Sequence, residues 1–127
     1  MSNLILMNKK VVIIDYKMSN LYSVKHACDW AGLNATISSD KAVLADADLA
    51  ILPGVGAFSD AMNNLQKLEL IPAIKAFVKS KKPFFGVCLG LQLLFNRSEE
   101  FGTHQGLDVI KGKVVRFPRI NNDRQAI

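Results

Sequence analysis

The sequence predicts an α/β fold with a mostly parallel, open sheet and helices on both of its faces. Short apolar runs rich in β-branched residues recur along the chain, and stretches with helical periodicity separate them. This alternation is typical of parallel strands joined by crossover helices. Half of the 127 residues are apolar, which is enough for one substantial core but not two. We therefore expect a single domain over residues 1–127, with residues 1–8 as a disordered extension.

The first half of the chain contains three predicted strands. Residues 11–15, four apolar residues followed by Asp15, form the first. Ser19 can cap the helix that follows, Gly32 can end it, and Cys28 lies on its apolar face, so Cys28 is expected in the core. The remaining elements of this half are a strand over 34–38, a helical turn over 40–45 and a buried strand over 48–52.

The second half begins with a helix over 65–79, in which apolar residues repeat at helical spacing. Residues 83–87 then form a short buried strand entered through a proline, and a helix starts over 89–95. Residues 107–110 and 113–117 are predicted to pair as an antiparallel edge hairpin, because a Lys-Gly pair separates them.

Cys88 stands at the predicted junction between strand and helix, with Gly86 two residues before it and Gly90 two residues after it. A nucleophile on such a turn has a strained backbone, and the glycines remove side chains that would collide. The start of the following helix favours the thiolate, and the Leu89 N–H is placed to stabilise an oxyanion. A lone cysteine is more often part of the core, but a core strand does not need these glycines. The pattern favours acyl transfer through a thioester.

A second glycine-containing segment, Pro53-Gly54-Val55-Gly56, follows the predicted buried strand over 48–52. It should emerge at the carboxyl edge of the sheet, where open α/β sheets bind ligands. An ordinary strand-to-helix turn could have the same composition. The segment on its own therefore does not distinguish a binding loop from a connection.

Residues 86–95, Gly-Val-Cys-Leu-Gly-Leu-Gln-Leu-Leu-Phe, resemble the nucleophile motif of class I glutamine amidotransferases, which have a flavodoxin-like fold. Within that class they are most similar to the glutaminase subunits of imidazole glycerol phosphate synthases. The resemblance extends over nearly all of residues 10–118. Further segments in matching order are Asp15-Tyr16, Asn20-Leu21, residues 52–58, residues 97–100 and residues 114–117.

The resemblance implies that Cys88 forms a γ-glutamyl thioester with L-glutamine, while the N–H groups of Gly56 and Leu89 stabilise the oxyanion. It also implies a substrate pocket bordered by Gly54, Gln92 and Glu100. Without this resemblance, we would interpret Gln92 and Glu100 as ordinary surface residues. The resemblance implies no cofactor and no metal. It implies a heterodimer with a (β/α)8-barrel synthase subunit, which uses the ammonia to make imidazole glycerol phosphate and AICAR in histidine biosynthesis.

The general base of such a mechanism is not evident in this sequence. The chain has only two histidines, His26 and His104, and neither has the His-x-Glu spacing of the family. The resemblance implies that this pair follows Ile127, so we expect residues 1–127 to be the N-terminal portion of a longer domain whose C-terminal part is missing here. On their own they are expected to have little or no glutaminase activity.

One loop departs from the family pattern. The motif Asp-Tyr-Gly-x-Gly-Asn-Leu is matched by residues 15–21, with Lys17 and Ser19 in place of the glycines. In the family this loop faces the barrel, so Lys17 and Asn20 are candidate interface residues, and Lys17 predicts a facing carboxylate on an altered partner. A paralogous glutaminase that feeds an amino-sugar or surface-polysaccharide enzyme is therefore an alternative. A cysteine peptidase or deglycase-like hydrolase, and a non-catalytic module of the same fold, are two others.

Composition argues against several other classes of function. The net charge is +5, but the basic residues are scattered without interleaved aromatic residues, so we expect no nucleic-acid partner. The N-terminus lacks the features of a signal peptide and no apolar stretch reaches membrane-spanning length, so no membrane partner is expected. Two cysteines far apart in the sequence favour a reducing, cytoplasmic location.

Overall fold

The centre of the structure is a four-stranded parallel sheet, seen in a computed structural model that describes residues 8–119. Its strands are β1 (Val11–Ile14), β2 (Ala35–Ser38), β3 (Leu49–Leu52) and β4 (Phe84–Gly86), in the order β2-β1-β3-β4. Val12 of β1 lies between Thr36 and Ala50, and Ile51 pairs with Phe85. The predicted α/β fold with a parallel sheet is confirmed. The extension expected over residues 1–8 lies, apart from Asn8, outside the described residues.

Helices cover both faces of this sheet. They are α1 (Leu21–Trp30), α2 (Lys41–Asp46), α3 (Phe58–Lys67), α4 (Leu70–Lys79) and α5 (Leu89–Leu93). Because alternate residues of a strand point to opposite faces, β1 contributes to two cores. Val12 and Ile14 pack with α2 to α5, whereas Val11 and Ile13 pack with Cys28 of α1, which confirms that Cys28 belongs to the core. None of the helices between residues 8 and 119 is long and apolar enough to cross a membrane.

The long helix predicted over 65–79 is wrong in its boundaries, because two helices occupy this region. The first, α3, begins at Phe58 and ends at Lys67, and Glu69 then takes a left-handed conformation (φ 57°) before α4. Pro72 explains the break. Proline has no N–H and clashes with the preceding turn, so it is tolerated in the first turn of a helix but not in the interior of a longer one.

The edge hairpin predicted from residues 107–110 and 113–117 is also wrong. The chain forms a second, three-stranded sheet with the order β6-β5-β7, made of β5 (Phe95–Ser98), β6 (His104–Gln105) and β7 (Ile110–Val114). Strand β7 runs parallel to β5, and the Lys-Gly pair lies inside it. Gly112 donates its N–H to Asn96 Oδ1 (2.8 Å) at the point where the pairing register between β5 and β7 shifts. This glycine therefore lies at an irregularity within the strand and not in a turn.

The packing gives a prediction about stability. Ile74 of α4 is fully buried in the larger core, whereas Ile110 of β7 is 39% exposed. We expect Ile74→Ala to lower the free energy of unfolding by about 2–5 kcal/mol, because it leaves a cavity, and Ile110→Ala to cost less than about 1 kcal/mol. Urea unfolding of both variants measures this difference, and equal losses would contradict the assigned core.

Candidate active site

Cys88 lies on a strained turn between β4 and α5. Its backbone angles are φ 54° and ψ −122°, and a positive φ in a residue other than glycine costs about 1–3 kcal/mol. The flanking glycines are required by close packing. A Cβ at Gly90 would collide with the carbonyl oxygen of Leu52 at the end of β3, and a Cβ at Gly86 would lie 2.8 Å from the Cα of Leu91. The predicted elbow is therefore present, and it sits directly on the end of β3.

The cysteine side chain is exposed, but the helix behind it is short. Helix α5 contains five residues instead of the seven expected over 89–95, because Phe95 already begins β5. Its first turn is closed by the Cys88 carbonyl, which accepts the N–H groups of Leu91 (2.9 Å) and Gln92 (3.2 Å). Because the dipoles of aligned peptides add up along a helix, a helix of five residues has a smaller dipole than a longer one.

The loop over residues 53–56 meets the elbow at the carboxyl edge of the sheet. The Leu89 N–H, which is one of the expected oxyanion donors, donates to the Gly54 carbonyl oxygen (3.3 Å). Gly56 has φ 109°, a conformation that favours glycine. The structure thus brings Gly54 and Leu89 together, but with the Leu89 N–H already paired. An oxyanion can reach this N–H only after the Gly54 carbonyl has moved. The role of Gly56 as an oxyanion donor stays a prediction.

Two further side chains were expected at the substrate pocket. Gln92 is half-buried, one helical turn after Cys88, and Glu100 is half-buried just beyond β5, with its N–H donated to Ser98 Oγ (3.3 Å). Its neighbour Glu99 forms ion pairs with Arg97 (2.7 Å) and Lys113 (3.1 Å), which hold the pKa of the Glu99 carboxyl below its usual range. Among residues 8–119, Glu99 therefore forms ion pairs with basic side chains, whereas Glu100 forms none. The roles of Gln92 and Glu100 stay predictions.

Neither histidine is bonded to Cys88 in the part of the chain that the structure describes. His26 is exposed on α1, and His104 Nε2 donates to the Phe101 carbonyl oxygen (2.8 Å). The described residues also contain no group of three or more His, Cys, Asp or Glu side chains placed to hold a metal ion. The structure thus shows an exposed Cys88 thiol next to the loop over residues 53–56, whereas no general base is identified among residues 8–119.

The interface candidates Lys17 and Asn20 lie in the loop after β1. Lys17 has φ 71°, a conformation that favours glycine, which is the residue of the family motif at this position. Its ammonium group lies 3.5 Å from Asp15 Oδ2, so the carboxylate that the sequence analysis expected on a partner is already present in the same loop. Asn20, and not Ser19 as predicted, caps α1 by accepting the N–H of Ser23 (3.4 Å).

Sequence analysis did not find the hydrogen bonds that join this loop to residues 53–56. Tyr16 is fully buried, and its hydroxyl donates to the Pro53 carbonyl oxygen (2.5 Å). The Met18 carbonyl accepts the N–H of Val55 (2.7 Å), and Asn64 Nδ2 of α3 donates to the Tyr16 carbonyl (3.1 Å). The only sequence signal was the position of Tyr16 directly after the first strand, at the same sheet edge as residues 53–56.

Cys28 differs from Cys88 in its environment. It is 5% exposed, and it lines an apolar groove of about 560 Å³ between α1 and β4. Burial raises the pKa of the Cys28 thiol, and the nearby Asp29 raises it further. Cys28 therefore stays protonated at neutral pH, while Cys88 is exposed at the elbow.

Comparison with known sequences identifies the family of this chain and several relatives. The family model "Glutamine amidotransferase class-I" matches residues 12–124. The subunit HisH of imidazole glycerol phosphate synthase from Syntrophotalea carbinolica is 54% identical over 108 residues, which cover 85% of this chain and 52% of that protein. The HisH subunit of Aquifex aeolicus is 48% identical over 110 residues, covering 86% of this chain and 53% of that protein. The chain thus spans about half the length of these relatives.

Comparison with solved structures agrees with the fold. A crystal structure described as a glutamine amidotransferase superposes with a TM-score of 0.70 and 20% identity, covering 83% of this chain and 56% of the other. A putative peptidase E from Listeria monocytogenes EGD-e superposes with a TM-score of 0.68 and 14% identity, covering 83% of this chain and 64% of the other. At such identities the likeness concerns the fold alone. The family match over residues 12–124 goes further, and the chain belongs to the class I glutamine amidotransferase family.

Proposed function

We propose that this protein is the glutaminase subunit of an imidazole glycerol phosphate synthase and hydrolyses L-glutamine to glutamate and ammonia. The observation that carries the proposal is the Cys88 elbow, an exposed thiol on a strained turn between two glycines that close packing requires. The relatives from Syntrophotalea carbinolica and Aquifex aeolicus, named as subunits of that synthase, support the choice of pathway.

In the proposed reaction the Cys88 sulfur attacks the side-chain amide carbon of glutamine. The negative charge that develops on the amide oxygen is stabilised by the N–H groups of Gly56 and Leu89, once the Gly54 carbonyl no longer occupies the latter. The carbon–nitrogen bond breaks, the nitrogen takes up a proton and leaves as ammonia, and a thioester remains. Water then hydrolyses the thioester, which releases glutamate and restores the thiol.

The remaining site residues orient the substrate. The Glu100 carboxylate pairs with the α-ammonium group of glutamine, and Gln92 and Gly54 border the bound side chain. Proton transfer requires a histidine oriented by a carboxylate, the role of the family's His-x-Glu pair. No cofactor takes part. The two cysteines are free thiols, which suits a reducing cytoplasm.

We assign the ammonia to a (β/α)8-barrel subunit that docks on the loop containing Lys17 and Asn20. A paralogous glutaminase serving an amino-sugar or surface-polysaccharide enzyme is the second candidate, and the observation that favours it is the replacement of two family glycines by Lys17 and Ser19. The ion pair between Lys17 and Asp15 weakens this alternative, because a charge that is already paired does not require a carboxylate on an altered partner.

The first prediction concerns the reactive thiol. We expect a glutamine-mimicking electrophile to modify Cys88 in the folded protein at neutral pH and to leave Cys28 unmodified, since Cys28 is buried and protonated. Mass spectrometry of the digested adduct locates the modification. Cys28→Ala should label normally and Cys88→Ser should not, and preferential modification of Cys28 would rule out the assignment.

A second prediction concerns turnover. The complete glutaminase mixed with a histidine-pathway barrel subunit should hydrolyse glutamine, and Cys88→Ser should lower the rate by about 10⁴-fold or more, because the nucleophile is lost. Residues 1–127 alone should show little or no turnover, since neither His26 nor His104 is bonded to Cys88. The rate of glutamate release measures turnover by the native protein, by Cys88→Ser and by residues 1–127. Turnover by residues 1–127 that Cys88→Ser abolishes would show that one of these histidines is the base.

A third prediction concerns the loop after β1. The double variant Lys17→Gly/Ser19→Gly should be stimulated by the histidine-pathway barrel within about threefold of the native loop, because the Lys17 charge is exposed and paired with Asp15. Glutaminase rates with that barrel, and with a barrel from an amino-sugar or surface-polysaccharide pathway, provide the comparison. Stronger stimulation of the native loop by the second barrel would favour the paralogous function.

A further inference from the structure

Two hydrogen bonds fasten the loop after β1 to residues 53–56, one on each side of Gly54. On one side the Tyr16 hydroxyl donates to the Pro53 carbonyl oxygen (2.5 Å). On the other side the Val55 N–H donates to the Met18 carbonyl oxygen (2.7 Å). The Gly54 residue is therefore held between two anchored neighbours, and its position relative to the elbow depends on the loop after β1.

Gly54 is also the point at which this pair of loops contacts the elbow. Its carbonyl oxygen accepts the Leu89 N–H (3.3 Å), and a Cβ at this position would lie 3.1 Å from the Gly90 nitrogen. The same Cβ would collide with the Tyr16 hydroxyl oxygen. The hydroxyl group thus packs directly against the Gly54 Cα, and it limits the loop sterically as well as through its hydrogen bond.

Tyr16 is itself held rigidly. It is fully buried, and its own carbonyl oxygen accepts a hydrogen bond from Asn64 Nδ2 of α3 (3.1 Å). Burial raises the pKa of the Tyr16 phenol, so the group remains a neutral donor over the physiological range. A carbonyl oxygen can only accept, so loss of the hydroxyl would leave the buried Pro53 carbonyl without this donor.

We propose that Tyr16 is a positioning residue of the oxyanion site: its hydroxyl fixes Pro53 when the Gly54 carbonyl moves off the Leu89 N–H, so that the loop over residues 53–56 stays against the elbow in the transition state. Tyr16 lies behind the loop and acts through Pro53 and Gly54. This inference rests on the proposed glutaminase function. Small displacements of groups that stabilise a transition state have large kinetic effects, although they leave ground-state binding nearly unchanged.

The test uses the complete glutaminase with its barrel subunit and the variant Tyr16→Phe, which removes one oxygen atom. We expect kcat to fall about 10- to 100-fold while KM for glutamine stays within about threefold. The matched control is Tyr22→Phe, because Tyr22 lies on α1 and is 74% exposed. The kcat of Tyr22→Phe should equal that of the native protein. An unchanged kcat for Tyr16→Phe would overturn the proposal, as would a loss confined to KM.

A second readout separates positioning from a general loss of structure. A chloroketone analogue of glutamine reacts with a thiolate through an addition step that places negative charge on its carbonyl oxygen, whereas iodoacetamide reacts by direct displacement. We expect Tyr16→Phe to slow labelling of Cys88 by the chloroketone about tenfold or more and to leave the iodoacetamide rate within about twofold. Equal slowing of both reagents would show a purely structural role and overturn the proposal.

Asn64→Ala provides a test that keeps the phenol intact, should Tyr16→Phe fail to fold. It removes the hydrogen bond to the Tyr16 carbonyl, so a smaller decrease in kcat with unchanged KM is expected, while Asn63→Ala on the exposed side of α3 should have no effect. An unchanged kcat for Asn64→Ala would overturn the proposal when Tyr16→Phe does not fold.

A native protein without turnover or chloroketone labelling would overturn the proposed function, and the positioning role with it. Native turnover with an unaffected Tyr16→Phe would overturn only the positioning role.

Discussion

The contact between Gly90 and the Leu52 carbonyl oxygen is the constraint on which the site depends, because no side chain fits between them. It allows the first turn of α5 to rest on the end of β3, and the chain between β4 and α5 must then turn sharply at Cys88. The Val87 N–H donates to the same Leu52 oxygen (3.0 Å), which fixes the turn from its other side. Backbone packing at the end of one central strand therefore determines where the thiol emerges, and the cost of its positive φ is offset by these contacts.

Features that the sequence predicted correctly depend on local pattern. The apolar runs of β1 and β3 are buried on both faces of a parallel sheet, which requires nearly continuous hydrophobic residues. The elbow was predictable because Gly86 and Gly90 flank a cysteine at a strand end, and this spacing serves no purpose in a plain core strand. Cys28 was assigned to the core by its helical spacing alone. In each case the residues that decide the structure are neighbours along the chain.

Features that the sequence did not predict depend on contacts between distant segments. The bond between Tyr16 and Pro53 joins residues 37 positions apart, and the pairing of the Leu89 N–H with the Gly54 carbonyl joins two loops. Strand β7 was misjudged because Lys111-Gly112 has the composition of a turn, and only its partner Asn96 makes it part of a strand. Such hydrogen bonds leave no periodic trace in the sequence, since at least one partner in each of them is a backbone group that almost any residue supplies.

Three residues with positive φ lie where these distant contacts meet. Lys17, Gly56 and Cys88 all have positive φ, and each belongs to a different segment at the carboxyl edge of the parallel sheet. For Lys17 and Cys88 this conformation is unfavourable, so it persists only because surrounding groups determine it. The hydrogen bonds of Tyr16 and Met18 to residues 53–56, and of Leu89 to Gly54, connect the three segments in series. The geometry at Cys88 is therefore a property of the whole edge and not of the elbow alone, and this is why a buried phenol with no access to substrate can bear on the chemistry of the thiol.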